Sequence, residues 1–219
     1  LRVDEWGIDV AYSGAQKCLS CPPGASPLTL NDRAMEKIHG REEPARSWYL
    51  DLGLLEGYWG GERSYHHTAP ITNVYAMREA LRLVAEEGIE ERWRRHRRVA
   101  GALKAGVRAM GLEMNADDAY WLPSLNAVRV PAGIDAGEII QAVLDGYDIE
   151  IAGGLGDLAG EIFRIGCMGH SARPGKVLHT LAALGGELER AGAEVDVDLG
   201  IGAARRRLAD SGEEPAGGR

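Results

Sequence analysis

Three groups of residues in this 219-residue chain have the types and spacing to do chemistry. The first is Lys17. A strand-like stretch, Ile8-Asp9-Val10-Ala11-Tyr12, ends in Ser13-Gly14, delivers one lysine after Ala15-Gln16, and is followed by a Pro22-Pro23-Gly24 turn. A lysine amine attacks a carbonyl only when deprotonated, which takes partial desolvation or a cationic neighbour. The end of a buried strand is expected to supply the desolvation. The second is Arg164, set in Glu161-Ile162-Phe163-Arg164-Ile165-Gly166. Guanidinium stays charged among apolar neighbours, and its planar fork suits a carboxylate or phosphate. Glu161 is the one acid nearby, so a substrate carboxylate is a candidate partner, beside the plainer readings of a structural salt bridge or an edge-strand arginine reaching solvent. The third is Tyr65-His66-His67-Thr68-Ala69-Pro70, hydroxyls and imidazoles ahead of a helix start, where backbone N–H groups and the positive dipole end favour a phosphate. The plain alternative is that Thr68 caps the helix and the histidines are solvated or satisfied by neighbours. Adjacent histidines on an extended chain point to opposite sides, so no shared metal is expected.

Two further motifs carry less. Cys18 and Cys21 form C-x-x-C, but no second pair completes a zinc site and no helix start follows to activate a redox thiol. They read as small packing residues beside Lys17. Gly154-Leu155-Gly156-Asp157-Leu158-Ala159 matches a dinucleotide fingerprint, yet a strand rather than a helix is expected next, so the glycines read as a tight link.

The elements that must position these groups follow from periodicity. Residues 8–13 and about 25–30 read as strands, with Asn31 or Asp32 capping a helix through Ile38. Residues 40–47 read as a surface loop, and the aromatics of Trp48 to Gly61 as core or interface. Pro70 opens a helix carrying Val74, Met77, Leu81 and Val84, broken at Gly88. A second helix places Ile89, Trp93, His96, Ala100, Leu103, Val107 and Met110 on one face, leaving Arg92, Arg94, Arg95, Arg97 and Arg98 as a solvated surface. Strands are expected at 127–130, 147–152 and 161–166, with helices from Asp135 to Leu144 and from about Pro174 to Ala191. The resulting organisation is residues 1–88; 89–114, a connecting helix; 115–192, a small α+β domain; and 193–219, a disordered tail.

A formal charge of −8 argues against nucleic acid or an anionic membrane as the main partner, and no apolar run has the length of a membrane span. Three cysteines are too few for a disulfide framework and suit a reducing, cytoplasmic setting. Leu1-Arg2-Val3-Asp4-Glu5-Trp6 has neither a methionine nor an apolar signal region and reads as an interior cut.

The pieces together resemble a family. Ser13-Gly-Ala-Gln-Lys-Cys-Leu-Ser-Cys-Pro-Pro-Gly24 is similar to the cofactor-lysine motif of class V aminotransferases, in particular the alanine–glyoxylate and serine–glyoxylate (serine–pyruvate) enzymes. Tyr65 to Leu81 resembles the segment that follows there, and Phe163-Arg-Ile-Gly-Cys-Met-Gly-His170 the C-terminal arginine motif, all in the family's order. The resemblance implies an α/β chain, the C-terminal part of fold type I: the end of a large mixed-sheet domain plus a small α+β domain. It implies pyridoxal 5'-phosphate bound to Lys17 as a Schiff base, Gln16 against the cofactor, Arg164 on the substrate carboxylate, and Tyr65 and Thr68 reaching the phosphate of a neighbouring subunit in a homodimer. The implied reaction moves an amino group from alanine or serine to a 2-oxo acid such as glyoxylate or pyruvate. The family's acidic partner for the ring nitrogen has no counterpart ahead of Lys17; Asp9 is a tempting substitute that matches no family cofactor residue. A fragment, inactive alone, is therefore expected. The alternatives are a cysteine desulfurase-like lyase and a non-catalytic truncated paralogue.

Overall fold

The protein is described by a computed structural model covering residues 1–61 and 64–210. It divides into two units, Leu1–Arg82 and Leu83–Arg219, each with its own core.

In the first unit a short antiparallel hairpin pairs β1 (Val10–Tyr12) with β2 (Leu28–Leu30), Val10 opposite Leu30. Asn31 then caps α1 (Asp32–His39), its side chain accepting from the Ala34 N–H at 3.0 Å. Both strands are shorter than their alternation suggests and they are not buried: Tyr12 is 81% exposed. The aromatic segment holds an unexpected helix, α2 (Leu52–Trp59), started by Asp51, which accepts from Gly53 N–H and Leu54 N–H. Its rings stay outside, Trp59 at 63% exposure. Glycines at 53 and 57 lower helix propensity and hid the element; the Asp51 cap was the signal for it. Most of α3 (Ile71–Glu87) belongs to this unit, and Met77 and Ala80 pack with Ala15, Leu19 and Cys21 in its small core.

The second unit is built on a three-stranded antiparallel sheet in the order β3 (Leu125–Arg129), β5 (Ile162–Gly166), β4 (Ala152–Gly153). Of the strand expected at 147–152 only Ala152 is in a strand; α5 (Ala136–Tyr147), capped by Asp135, runs three residues past its expected end and takes Tyr147, and 148–151 join the two without strand pairing. Val128, Phe163 and Ile165 from the sheet meet α4 (Ile89–Ala109), α5 and α6 (Pro174–Arg190) in one core containing Val99, Leu103, Val107, Val143, Leu181 and Leu184. Gly154, which links β4 to the next turn, sits where a Cβ would lie 1.8 Å from the Leu158 carbonyl oxygen, so the glycines of this segment make a tight link between strands.

The tail is the main correction to the domain reading. Residues Val197–Ala209 form α7, with Asp196 accepting from the Leu199 N–H at 2.8 Å and Gly200 and Ala204 buried. Val197, Gly200, Ile201, Ala204 and Leu208 recur at helical spacing, but small residues and Arg205 to Arg207 mask the stripe. The expectation for 211–219 lies outside the described residues. The small residues let α7 approach α4 closely: a Cβ on Gly106 would meet Leu181 Cδ1 at 2.5 Å and the Gly200 carbonyl at 3.1 Å. Gly106→Val should therefore cost about 2 kcal/mol or more through overpacking, read as a lower midpoint in urea unfolding.

Candidate active site

The lysine loop is held by its small neighbours. Ala15 is 1% exposed, and the Cys21 thiol donates to the Ala76 carbonyl on α3 at 3.6 Å. Cys21 N–H donates to Ala15 O at 3.0 Å, which closes the loop. Inside it Lys17 N–H donates to Gly14 O and Ser20 N–H to Lys17 O, with Ser20 at a φ of 59°. The next turn is tied to α3 by Asn73 Nδ2, which donates to Pro23 O at 2.8 Å; Gly24 at a φ of +122° leaves the room, since a Cβ there would lie 2.7 Å from that nitrogen. Lys17 thus stands on the tip of a loop docked through Ala15 and Cys21. Its side chain and that of Gln16 are exposed, and Lys17 makes no ion pair among the described residues. The expected desolvation by a buried strand end is absent, because neither three-residue strand of the hairpin contains a buried residue.

Tyr65 and Thr68 are brought together at the surface, the two hydroxyls 3.1 Å apart. Beneath them His66 is buried and stacked on Trp48 at 4.0 Å between centroids. With His66 Nε2–H donating to Trp48 O at 3.1 Å, its Nδ1 carries a lone pair and accepts from His67 Nδ1–H at 2.8 Å. The two histidines therefore face each other rather than pointing apart, since the loop here is not extended. No group of metal-ligating side chains occurs among the described residues.

Arg164 is half-buried in the middle of the second unit's sheet, its backbone paired with Ala127 and Ala152. Its Nε–H donates to the Gly153 carbonyl at 2.5 Å. Glu161 does not pair with it, and among the described residues the guanidinium forms no salt bridge. The terminal nitrogens, the fork that grips a carboxylate, keep their donors.

The arginine run is not a uniformly solvated face. Arg92 and Arg95 both bind Glu87, Arg92 Nη1 at 2.8 Å and Arg95 Nη2 at 3.0 Å, with side chains 11% and 21% exposed. Trp93, placed on the apolar face by its spacing, is 39% exposed; the buried stripe is Arg92, His96, Val99, Leu103 and Val107. The hydrogen bond from Arg95, with help from Arg92, pulls the Glu87 carboxyl down to about 2. Burial pushes His96 below its ordinary value. Both folded-state values lie below the unfolded ones, so the associated stability is complete above the unfolded values and is lost as pH falls. His96 acts below 6.5 and Glu87 between 4.5 and about 2. Glu87→Gln should lower the unfolding free energy by about 2 kcal/mol at neutral pH and flatten the acid limb, measured by urea unfolding across pH.

Two other residues are excluded from the chemistry. Cys167 follows β5 directly, is 3% exposed, and burial pushes its thiol up to about 11. Burial counts against the use of this thiol as a nucleophile, since the thiolate is the reactive form. Asp9 Oδ1 accepts from Asn31 Nδ2 at 2.8 Å and from Arg33 Nε at 2.7 Å, so it is a brace between β1 and α1.

The sequence pattern of the family described as aminotransferase class V matches residues 1–162. The chain belongs to the class V aminotransferases. It is 41% identical over 234 aligned positions to an (S)-ureidoglycine–glyoxylate transaminase of Bacillus subtilis, covering 99% of this chain and 56% of that protein. It is 43% identical to the alanine–glyoxylate aminotransferase of Felis catus, over 87% of this chain and 47% of the relative. Among solved structures it superposes on a ureidoglycine–glyoxylate aminotransferase from Bacillus subtilis with a TM-score of 0.92, at 45% identity over 95% of this chain and 54% of that one. A pyridoxamine–pyruvate aminotransferase from Mesorhizobium loti gives 0.90 at 32% identity, over 94% and 53%. The chain spans about half the length of the curated relatives it matches. Its fold is the corresponding part of fold type I, and the family's cofactor is pyridoxal phosphate. The residues present fit that group: an exposed amine with no ion pair among the described residues, able to meet an aldehyde, and an exposed hydroxyl pair able to meet a phosphate.

Proposed function

We propose that the protein transfers an amino group from a small amino acid, alanine or serine, to a 2-oxo acid such as glyoxylate or pyruvate. The observation that supports this most is the Lys17 loop: one exposed amine, without an ion pair among the described residues, on a loop anchored at Ala15 and Cys21, in a chain 41% identical to a glyoxylate transaminase. Pyridoxal phosphate, when bound, supplies the carbonyl that takes up the amino group and a ring that delocalises the electron pair left at Cα. Lys17 Nζ holds the cofactor between turnovers and, once freed, accepts the Cα proton and returns it on the other side of the transfer. Gln16 lies against the cofactor. Arg164 grips the substrate carboxylate through its terminal nitrogens and so fixes the direction of the Cα–H bond.

Tyr65 and Thr68 bind the cofactor phosphate of a second copy, making the protein a homodimer with shared sites. Their exposure and their mutual hydrogen bond favour this reading, as two hydroxyls already oriented together lose little entropy on meeting an anion. With Asp9 engaged by Asn31 and Arg33, no acid of the lysine strand is assigned to the ring nitrogen, and this chain by itself is taken to be inactive. Three cysteines, too few for a disulfide framework, suit a cytoplasmic setting.

The test is borohydride reduction in the presence of pyridoxal phosphate, followed by peptide mass spectrometry. A pyridoxyl group on the peptide carrying Lys17 is the expected result. Its absence from the full-length protein would overturn the enzyme reading in favour of a non-catalytic paralogue.

A further inference from the structure

Immediately after the Arg164 strand, the chain makes a single tight turn, Gly169–Ser171, and α4 grips that turn from both of its backbone sides. His96 Nδ1–H donates to Arg92 O at 2.7 Å, which leaves Nε2 as an acceptor, and it takes the Gly169 N–H at 2.8 Å. Arg95 Nη1 donates to the carbonyls of Gly169 and Ala172, both at 2.8 Å, while its other edge rests on Glu87. Gly169 has a φ of +53° and is buried, so its N–H and its C=O are both satisfied by adjacent side chains of one helix.

Stability alone does not account for this arrangement. A buried ionic cluster is often no more stabilising than apolar side chains of the same volume, so its use over a short turn suggests a demand on position. That demand has a place in the fold. β5 is flanked on one side by five pairs with β3 but on the other by only two pairs with β4. Beyond Gly166 it leaves the sheet, with Cys167 N–H donating to Ser124 O as its last tie before the turn. The turn residue Ser171 also lines a cavity of about 350 Å³ together with Ile165 and Gly166 of the strand.

We propose that Arg95 and His96 are positioning residues for substrate-carboxylate binding: by clamping Gly169 and Ala172 they fix the end of β5 and hence the setting of the Arg164 guanidinium. The proposal rests on the reading of Arg164 as the carboxylate ligand. Neither residue touches substrate; both act through backbone.

The probe is acetate, a carboxylate with no carbonyl to react with Lys17, titrated into the protein and followed by NMR at the Arg164 Nε–H resonance. In Arg95→Met and in His96→Leu the half-saturating concentration should rise about tenfold, the scale of one lost charge-assisted or buried hydrogen bond. His96→Gln, whose amide oxygen can reach the Gly169 N–H, should restore it to within about threefold of the parent. Unfolding midpoints are measured on the same samples, and where Arg95→Met does not fold, Arg95→Lys, which keeps charge and loses the double contact, is read with the same expectation. If acetate leaves the Arg164 resonance unmoved in the unsubstituted protein, the carboxylate reading falls and this proposal with it. If the resonance moves and every folded variant titrates like the parent, or if His96→Gln behaves like His96→Leu, the positioning role alone is overturned.

Discussion

Lys17→Ala should abolish pyridoxyl labelling and lower transamination by the whole enzyme on the order of ten-thousandfold, because the proposed function gives one amine the work of both covalent anchor and proton carrier. The fold should not notice. The loop is held by backbone bonds among Gly14, Ala15, Lys17, Ser20 and Cys21 and by the burial of Ala15 and Cys21, none of which uses the lysine side chain. An unchanged melting temperature with lost labelling is therefore the expected pair of results. Lys17→Arg separates charge from chemistry: it keeps a cation on the loop, yet guanidinium stays protonated and does not condense with an aldehyde. It should be as inactive as the alanine variant, and measurable turnover by Lys17→Arg would contradict the covalent role.

The second large effect is at Arg164. Replacing it with alanine should lower kcat/KM for amino and oxo acids about a hundredfold, the worth of a charge-assisted, bidentate contact, while leaving pyridoxyl labelling of Lys17 intact. Lysine at this position should recover part of the loss, because an ammonium supplies the charge without the fork. The alanine variant also leaves the Gly153 carbonyl without the donor it takes from Arg164 Nε, so a stability loss of about 1 kcal/mol is expected alongside. Loss of labelling together with substrate affinity would instead mark Arg164 as part of the cofactor site.

Much of the second unit was legible from periodicity. Asp135 and Pro174 open α5 and α6 because a capping carboxylate and a first-turn proline act within one turn of chain. The helix break at Gly88 was readable for the same reason, its φ of +84° lying where other residues rarely go. By contrast α7 was missed, because its stripe includes Gly200 and Ala204, residues whose value is that a neighbouring helix comes close. The arginines of α4 were misjudged in the same way: composition and neighbouring acids suggested a wet surface, whereas Arg92 and Arg95 turn inward to Glu87 and the turn after β5.

The sequence by itself determined the family, through motifs whose residue types and order are properties of the chain rather than of its folding; the Lys17 and Tyr65 segments lie within the matched residues 1–162. It also supplied the residue types that those motifs carry: a lysine amine, a pair of hydroxyls and a strand arginine. Tertiary structure decided what each of these has as a partner. It left Lys17 exposed on its loop, turned His66 and His67 toward each other, engaged Asp9 with Arg33, buried the Cys167 thiol, and gave the Gly169 backbone to Arg95 and His96. The reason is physical. Local signals such as caps and periodicity act within a few residues, but burial and hydrogen-bond partnership join positions as far apart as 95 and 172, and no spacing along the chain encodes them.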